Sequence, residues 1–290
     1  MKIEGSTFVV TGGTGGIGGA TAKMLVGLGA SVALFDVVPP ETGDKFASEV
    51  EASGSGKAKA LYHKVDITDS DAVRDAVARV VDTLGNLKGV VHCAGVAIKR
   101  PWTNDVAESI PNFKKMLDIN VTGTFIVNAH IADAINKPLN HPDGTDKHGP
   151  FWTTDEERGV IVNFASAAAN PYARVLSYGP GKTAVIGITK AMSDFLGPSG
   201  IRVCSISPSI VVSAMTANFS PYFSNDLKQH ATFPRVPLTA DQVTPTIKYI
   251  IENVALNGID IPVDGGWRLV SAKPGNGGGA DPRELAPGLE

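Results

Sequence analysis

Tyr178 and Lys182 stand four residues apart in the stretch SYGPGKTA, Ser177–Ala184. On a helix, positions i and i+4 share a face, so the phenol and the ammonium would point the same way. A free phenol has a pKa near 10. A neighbouring positive charge favours its ionised form, which makes the pair a candidate general acid/base. Taken alone, the spacing is far more often an ordinary surface turn, because a lone Tyr-x-x-x-Lys is a weak motif. Gly179, Pro180 and Gly181 between them are poor helix residues. Pro180 is tolerable only in a first turn, where its missing N–H costs little.

A second constellation lies near the start of the chain. The apolar run Thr7–Thr11 leads straight into TGGTGGIGGATAKML, with Gly12, Gly16 and Gly18 in the spacing Thr-Gly-x-x-x-Gly-x-Gly. Glycines allow a tight turn and let the backbone approach a pyrophosphate. A helix beginning near Gly18 would aim its free N–H groups and positive dipole end at that phosphate. Between a strand and a helix, this pattern is a dinucleotide site rather than a mere flexible turn. Asp36 closes the next apolar run, eighteen residues after Gly18. An acid there can accept hydrogen bonds from adenosine ribose hydroxyls and repels a 2′-phosphate. No base compensates: Gly15 lies in the loop, and Val37, Val38 and Pro39 follow the acid. The expected cofactor is therefore NAD. Asp66, in KVDIT, either caps the helix that follows or hydrogen-bonds the adenine.

The elements that must carry these residues alternate along the chain. Strands are predicted at Thr7–Thr11, Ser31–Asp36, Ala60–Asp66, Lys88–Ala94, Gly159–Ala165, Ile201–Ser207 and Gly258–Asp264. Helices are predicted at Gly18–Leu28, Asp69–Leu84, Ala107–Asn136, Leu176–Leu196 and Thr239–Asn253. Nearly continuous apolar strands imply a sheet covered on both faces. Strand–helix alternation implies an α/β, doubly wound parallel sheet, one domain over residues 1–270 with a tail at 271–290. Ser209–Arg235, with Phe219, Tyr222, Phe223 and Phe233, reads as a lid. Pro138–Arg158 is a polar insert. Its His141, Asp143, Asp146 and His148 match no metal-binding spacing, so no metal is expected.

Composition narrows the classes. The chain has 290 residues, 43% hydrophobic and 19% charged, ample for a large core. A net charge of −3 argues against a nucleic-acid surface. No apolar run is long enough to span a membrane. Met1 leads almost directly into a strand, leaving no space for a targeting peptide, and the expected setting is cytoplasmic. Cys93 and Cys204 lie in apolar runs and read as reduced core thiols. His92 lies within a strand, as a core or cofactor-side residue, and His230 has no partner that the sequence reveals.

These motifs, joined by Cys93-Ala94-Gly95 and by NVTG at Asn120–Gly123, resemble the classical short-chain dehydrogenase/reductase family, in its order and spacing from about Ser6 to Trp267. The resemblance implies a catalytic tetrad of Asn120, Ser166, Tyr178 and Lys182. Ser166 lies twelve residues before Tyr178, where the family usually has thirteen. Ser166 would hydrogen-bond the substrate oxygen, Lys182 would tune Tyr178 and hold the nicotinamide ribose, and Asn120 would hold a water relaying protons to Lys182. Cofactor contacts are implied for Thr14 and Ile17 in the glycine loop, and for Asp66 and Ile67 after the third strand. Others are implied for Cys93, Ala94 and Gly95, with Cys93 mainly packing, and for Pro208, Val211 and Ser213 after the sixth strand. Finer strings, such as VHCAGVAIKR and FKKMLDINVTGTF, resemble the branch of type 2 3-hydroxyacyl-CoA dehydrogenases and hydroxysteroid oxidoreductases. That branch implies NAD-linked oxidation of a secondary alcohol by a homo-oligomer, a tetramer or dimer, paired through Ala107–Asn136 and Leu176–Leu196. Two other readings stand beside it: a ketoreductase of secondary metabolism acting on a larger cyclic substrate, and a non-catalytic dinucleotide sensor.

Overall fold

The computed structural model describes residues 1–54, 56–98, 105–136, 154–169, 176–217 and 221–267. The expectations for 138–153, with its His and Asp residues, for Phe219 and for the tail at 271–290 lie outside the described residues.

The strands are β1 (Thr7–Thr11), β2 (Ser31–Asp36), β3 (Ala60–Lys64), β4 (Leu87–His92), β5 (Gly159–Phe164), β6 (Ile201–Pro208) and β7 (Asp260–Val263). They form one parallel sheet in the order β3-β2-β1-β4-β5-β6-β7. Successive strand residues point to opposite faces, and each face carries a separate core. Val10, Leu34, Val91 and Val162 pack toward α1 (Gly16–Gly27), α2 (Pro40–Ala52) and α8 (Thr244–Glu252). Val9, Ala33, Val90 and Ile161 pack toward α3 (Ser70–Leu84), α5 (Gly123–Asn136) and α6 (Gly179–Leu196). The doubly wound parallel sheet is therefore present as expected. Cys93 and Cys204 are both free. Among the described residues, no helix is long and apolar enough to cross a membrane.

The expected long helix over Ala107–Asn136 is broken. A 3₁₀ turn at Val106–Ser109 leads into α4 (Ile110–Leu117), then a π-turn at Asp118–Thr122, then α5. Pro111 fits the first turn of α4 because no intrahelical donor is needed there. The π-turn adds a residue to the ladder and sets Asn120 at the break, as such bulges do at functional sites. β3 ends at Lys64, short of the expected Asp66. Two helices were not foreseen. α2 has only Gly43, Ala47 and Val50 buried, too thin an apolar stripe to read. α7 (Pro221–His230) lies inside the expected lid.

Candidate active site

The strand order reverses between β1 and β4, and the loops leaving the carboxyl ends of these strands meet there. Ligands of doubly wound sheets bind at such a switch point. Gly12, at φ +60°, brings the loop after β1 against the loop after β4: a Cβ on it would stand 3.0 Å from the Ala94 backbone. A Cβ on Gly18 would stand 2.1 Å from the Gly12 carbonyl oxygen, and one on Gly16 would press on Ser213. The loop is thus a cradle closed to side chains. α1 opens over it with Gly15 at its N-cap and no capping side chain, so its first N–H groups are free for an anion. These features fit a dinucleotide pyrophosphate. Gly18→Ala forces a methyl onto a backbone oxygen. It is expected to cost about 2–3 kcal/mol of stability, read by urea unfolding.

The sequence-predicted cofactor residues gather at this edge with one exception in role. Asp36 is half-buried at the end of β2 and bonds Thr14 and Val37. Ile17 packs on the α1-side core and Ile67 in the opposite one. Pro208 closes β6, Val211 bridges to Leu238, and Ser213 pairs with Thr216. Asp66 is exposed and accepts from the Thr68 amide and hydroxyl at 2.9 and 2.8 Å. It does not cap α3; Asp69 does, accepting from the Ala72 amide at 3.0 Å. Cys93 packs against the α1-side core, and burial pushes its thiol up to about 12.

The tetrad residues converge from three elements: the π-turn, the end of β5 and α6. Ser166 follows β5. Its Oγ accepts from the Ala168 amide at 3.1 Å, and its hydroxyl lies close enough to the Tyr178 phenol to favour the ionised form. Tyr178 is the N-cap of α6, and Pro180 sits in that helix's first turn, as its chemistry demands. Lys182, one turn on, is buried and stands 5.7 Å from the centre of the Tyr178 ring. Asn120 is buried, and a Cβ on Gly95 would touch both its Oδ1 and the Lys182 Nζ.

In the chain by itself, burial pushes Tyr178 up to about 12, with Ser166 opposing it. Burial also pulls Lys182 down to about 8, and the ammonium donates to the Phe164 carbonyl at 2.7 Å. Desolvation outweighs the pairwise attraction because both groups lie inside protein. The Asn120 side chain is committed to Val96, accepting from its amide and donating to its carbonyl, each at 2.8 Å.

His92 is a core residue, one of the two places its strand position allowed, and sequence reasoning missed two other parts of the site. His92 is buried beneath it, its Nδ1 bonded to the Thr11 hydroxyl at 2.9 Å, and burial drops its pKa to about 3. A polar residue inside an apolar strand was the available signal. Leu227 and Ala231 form a small cluster with Trp267, Ile210 and Ala168, against which Tyr178 packs. Asp226 anchors that cluster by accepting from the Trp267 indole at 2.8 Å. No spacing rule reaches that pair across the chain.

The chain is similar to known proteins in sequence and fold. The family described as short chain dehydrogenase matches residues 6–222. A 3-hydroxyacyl-CoA dehydrogenase type-2 of Drosophila melanogaster is 32% identical over 92% of this chain and 99% of that relative. A zerumbone synthase of Zingiber zerumbet is 28% identical over 93% of this chain and 97% of its own. A short-chain type dehydrogenase/reductase from Mycobacterium ulcerans superposes with a TM-score of 0.78 at 29% identity, covering 94% of this chain and 93% of that one. With seven parallel strands, a glycine cradle at the switch point and a Ser–Tyr–Lys group beside it, the chain belongs to the classical short-chain dehydrogenases, a family of oxidoreductases.

Proposed function

We propose that this oxidoreductase interconverts a secondary alcohol and a ketone with NAD as coenzyme, and that its substrate is a 3-hydroxyacyl-CoA or a similar hydroxysteroid-like compound. The observation that carries the chemistry is the buried Lys182 ammonium 5.7 Å from the Tyr178 ring, with Ser166 beside the phenol. When bound, the nicotinamide would supply the hydride acceptor or donor. Its phosphates would lie against Gly12, Gly16 and Gly18, and its adenosine ribose against Asp36.

The chain's own groups handle the proton. In reduction, the Tyr178 phenol donates its proton to the substrate oxygen as the carbon gains hydride; in oxidation it takes that proton back. Ser166 donates a hydrogen bond to the same oxygen and steadies charge on it. The Lys182 ammonium favours the phenolate that each reductive turnover leaves behind. Asn120 holds the strand-end loop at Val96 in place, which keeps Gly95 against Lys182.

The substrate assignment draws on the likeness to 3-hydroxyacyl-CoA dehydrogenases. A dehydrogenase of secondary metabolism working on a larger cyclic ketone is the second reading, favoured by the likeness to zerumbone synthase and by the Trp267–Leu227 wall beside Tyr178. NADH consumption with acetoacetyl-CoA, set beside steroid and cyclic ketones, decides between them. Turnover of acetoacetyl-CoA supports the first, and a hit confined to the cyclic ketones supports the second.

We further propose a cytoplasmic homo-oligomer paired through α5 and α6. Phe125 on α5 and Phe195 on α6 are 53% and 83% exposed, a costly display for a lone subunit. Phe195→Glu is expected to shift the mass measured by light scattering toward the monomer. A variant that keeps the wild-type mass would move the interface elsewhere.

A further inference from the structure

We infer that Thr14 is a coenzyme-specificity residue that acts by locking Asp36. The inference rests on the NAD reading above and deepens it. Asp36 Oδ2 accepts from the Thr14 hydroxyl at 2.6 Å and from the Thr14 amide at 3.1 Å. Its Oδ1 accepts from the Val37 amide at 2.8 Å. A carboxylate offers about four lone-pair sites, so roughly one is left for a ligand. The backbone of Asp36 is held as well. The Tyr62 hydroxyl, on β3, lies 3.0 Å from the Asp36 carbonyl oxygen and 2.6 Å from that of Val38. The acid is therefore fastened by the glycine loop on one side and by β3 on the other.

Such fastening has two consequences for a ligand at this edge. The carboxylate is aimed before the ligand arrives, so a ribose hydroxyl finds its acceptor without an ordering cost. A 2′-phosphate, by contrast, brings negative charge against an acid that cannot swing aside. A loosely held Asp36 could turn toward solvent and tolerate that charge. A locked one rejects it, which is how a repulsive element sharpens specificity. Thr14 thus makes Asp36 select a dinucleotide whose adenosine ribose keeps its free 2′-hydroxyl. Thr14 is a positioning residue in this scheme: its hydroxyl is spent on Asp36.

Direct binding tests this without turnover. Dissociation constants for NADH and NADPH are read from coenzyme fluorescence on wild type, Thr14→Val and Thr14→Ser. Valine keeps the shape and the backbone amide and removes only the hydroxyl. The ratio of the NADPH to the NADH constant is expected to fall about tenfold in Thr14→Val, the worth of one hydrogen bond to a charged group, and to return in Thr14→Ser. A wild type that binds NADPH as tightly as NADH overturns the reading of Asp36 itself. A wild type that prefers NADH, with the ratio unchanged in Thr14→Val, overturns the role of Thr14 and leaves that reading standing. Equal weakening toward both coenzymes also leaves the ratio unchanged and marks Thr14 as merely structural. Should Thr14→Val fail to fold, Tyr62→Phe loosens the same acid from β3 and is judged by the same ratio.

Discussion

Tyr178→Phe is expected to lower kcat/KM by about a thousandfold while leaving the fold intact, a loss typical of removing a general acid/base. The change deletes one oxygen. The ring still packs against the cluster of Trp267, Leu227 and Ala168. What goes is the proton that the substrate oxygen needs and the hydroxyl beside Ser166. Burial holds the phenol up at about 12, so at neutral pH it is a proton donor ready for reduction. Alcohol oxidation needs the ionised form and is expected to quicken as pH rises toward that value. Near-wild-type turnover in Tyr178→Phe, with circular dichroism confirming the fold, would remove Tyr178 from the chemistry. It would also revive the reading of a dinucleotide sensor with incidental activity.

Lys182→Met is expected to abolish turnover by a similar factor and to make the protein more stable. Burial lowers the Lys182 pKa from 10.5 to about 8, which at neutral pH is a penalty of about 3 kcal/mol for keeping the charge. Methionine removes that penalty but leaves the Phe164 carbonyl without its partner, a cost of about 1–3 kcal/mol. The balance favours the variant by about 1 kcal/mol, or roughly 2 °C in Tm. The sign with pH follows from proton counts. Between about 8 and 10.5 the unfolded chain keeps a proton on Lys182 that the folded chain has lost, so wild-type stability from this group rises with pH. The advantage of Lys182→Met therefore shrinks across that window. In wild type, kcat/KM for reduction falls as pH climbs through about 8, because the free enzyme loses its ammonium. A variant less stable than wild type at neutral pH, with an unchanged alkaline limb, would contradict this account of Lys182.

Much of this was legible in the chain. β1 and β2 have the bounds that their apolar runs gave, because a fully covered strand reads as uninterrupted Val, Ile, Leu and Phe. Pro180 demanded a first turn, and α6 meets that demand by starting at Gly179 instead of the expected Leu176. The break at Asn120 was not legible: Asp118–Thr122 has an ordinary helical pattern, and the Asn120 side chain at the π-turn makes both its bonds to Val96, far along the chain. Asp69 was read as the first helical residue and not as the cap it is. The directions taken by Tyr178 and Lys182 depend on how deeply tertiary packing buries them. Residue types at i and i+4 report attraction between two groups and say nothing of desolvation.

The central claim is direct hydride transfer to a carbonyl carbon with Tyr178 supplying the proton. Its most direct test uses NADH carrying deuterium at both nicotinamide C4 positions, incubated with acetoacetyl-CoA and the cyclic ketones, with the alcohol products weighed by mass spectrometry. One deuterium on the carbinol carbon of a product from wild type, formed about a thousandfold more slowly by Tyr178→Phe, is the result this account predicts. Unlabelled alcohol, or no alcohol from any ketone in the set, would contradict it.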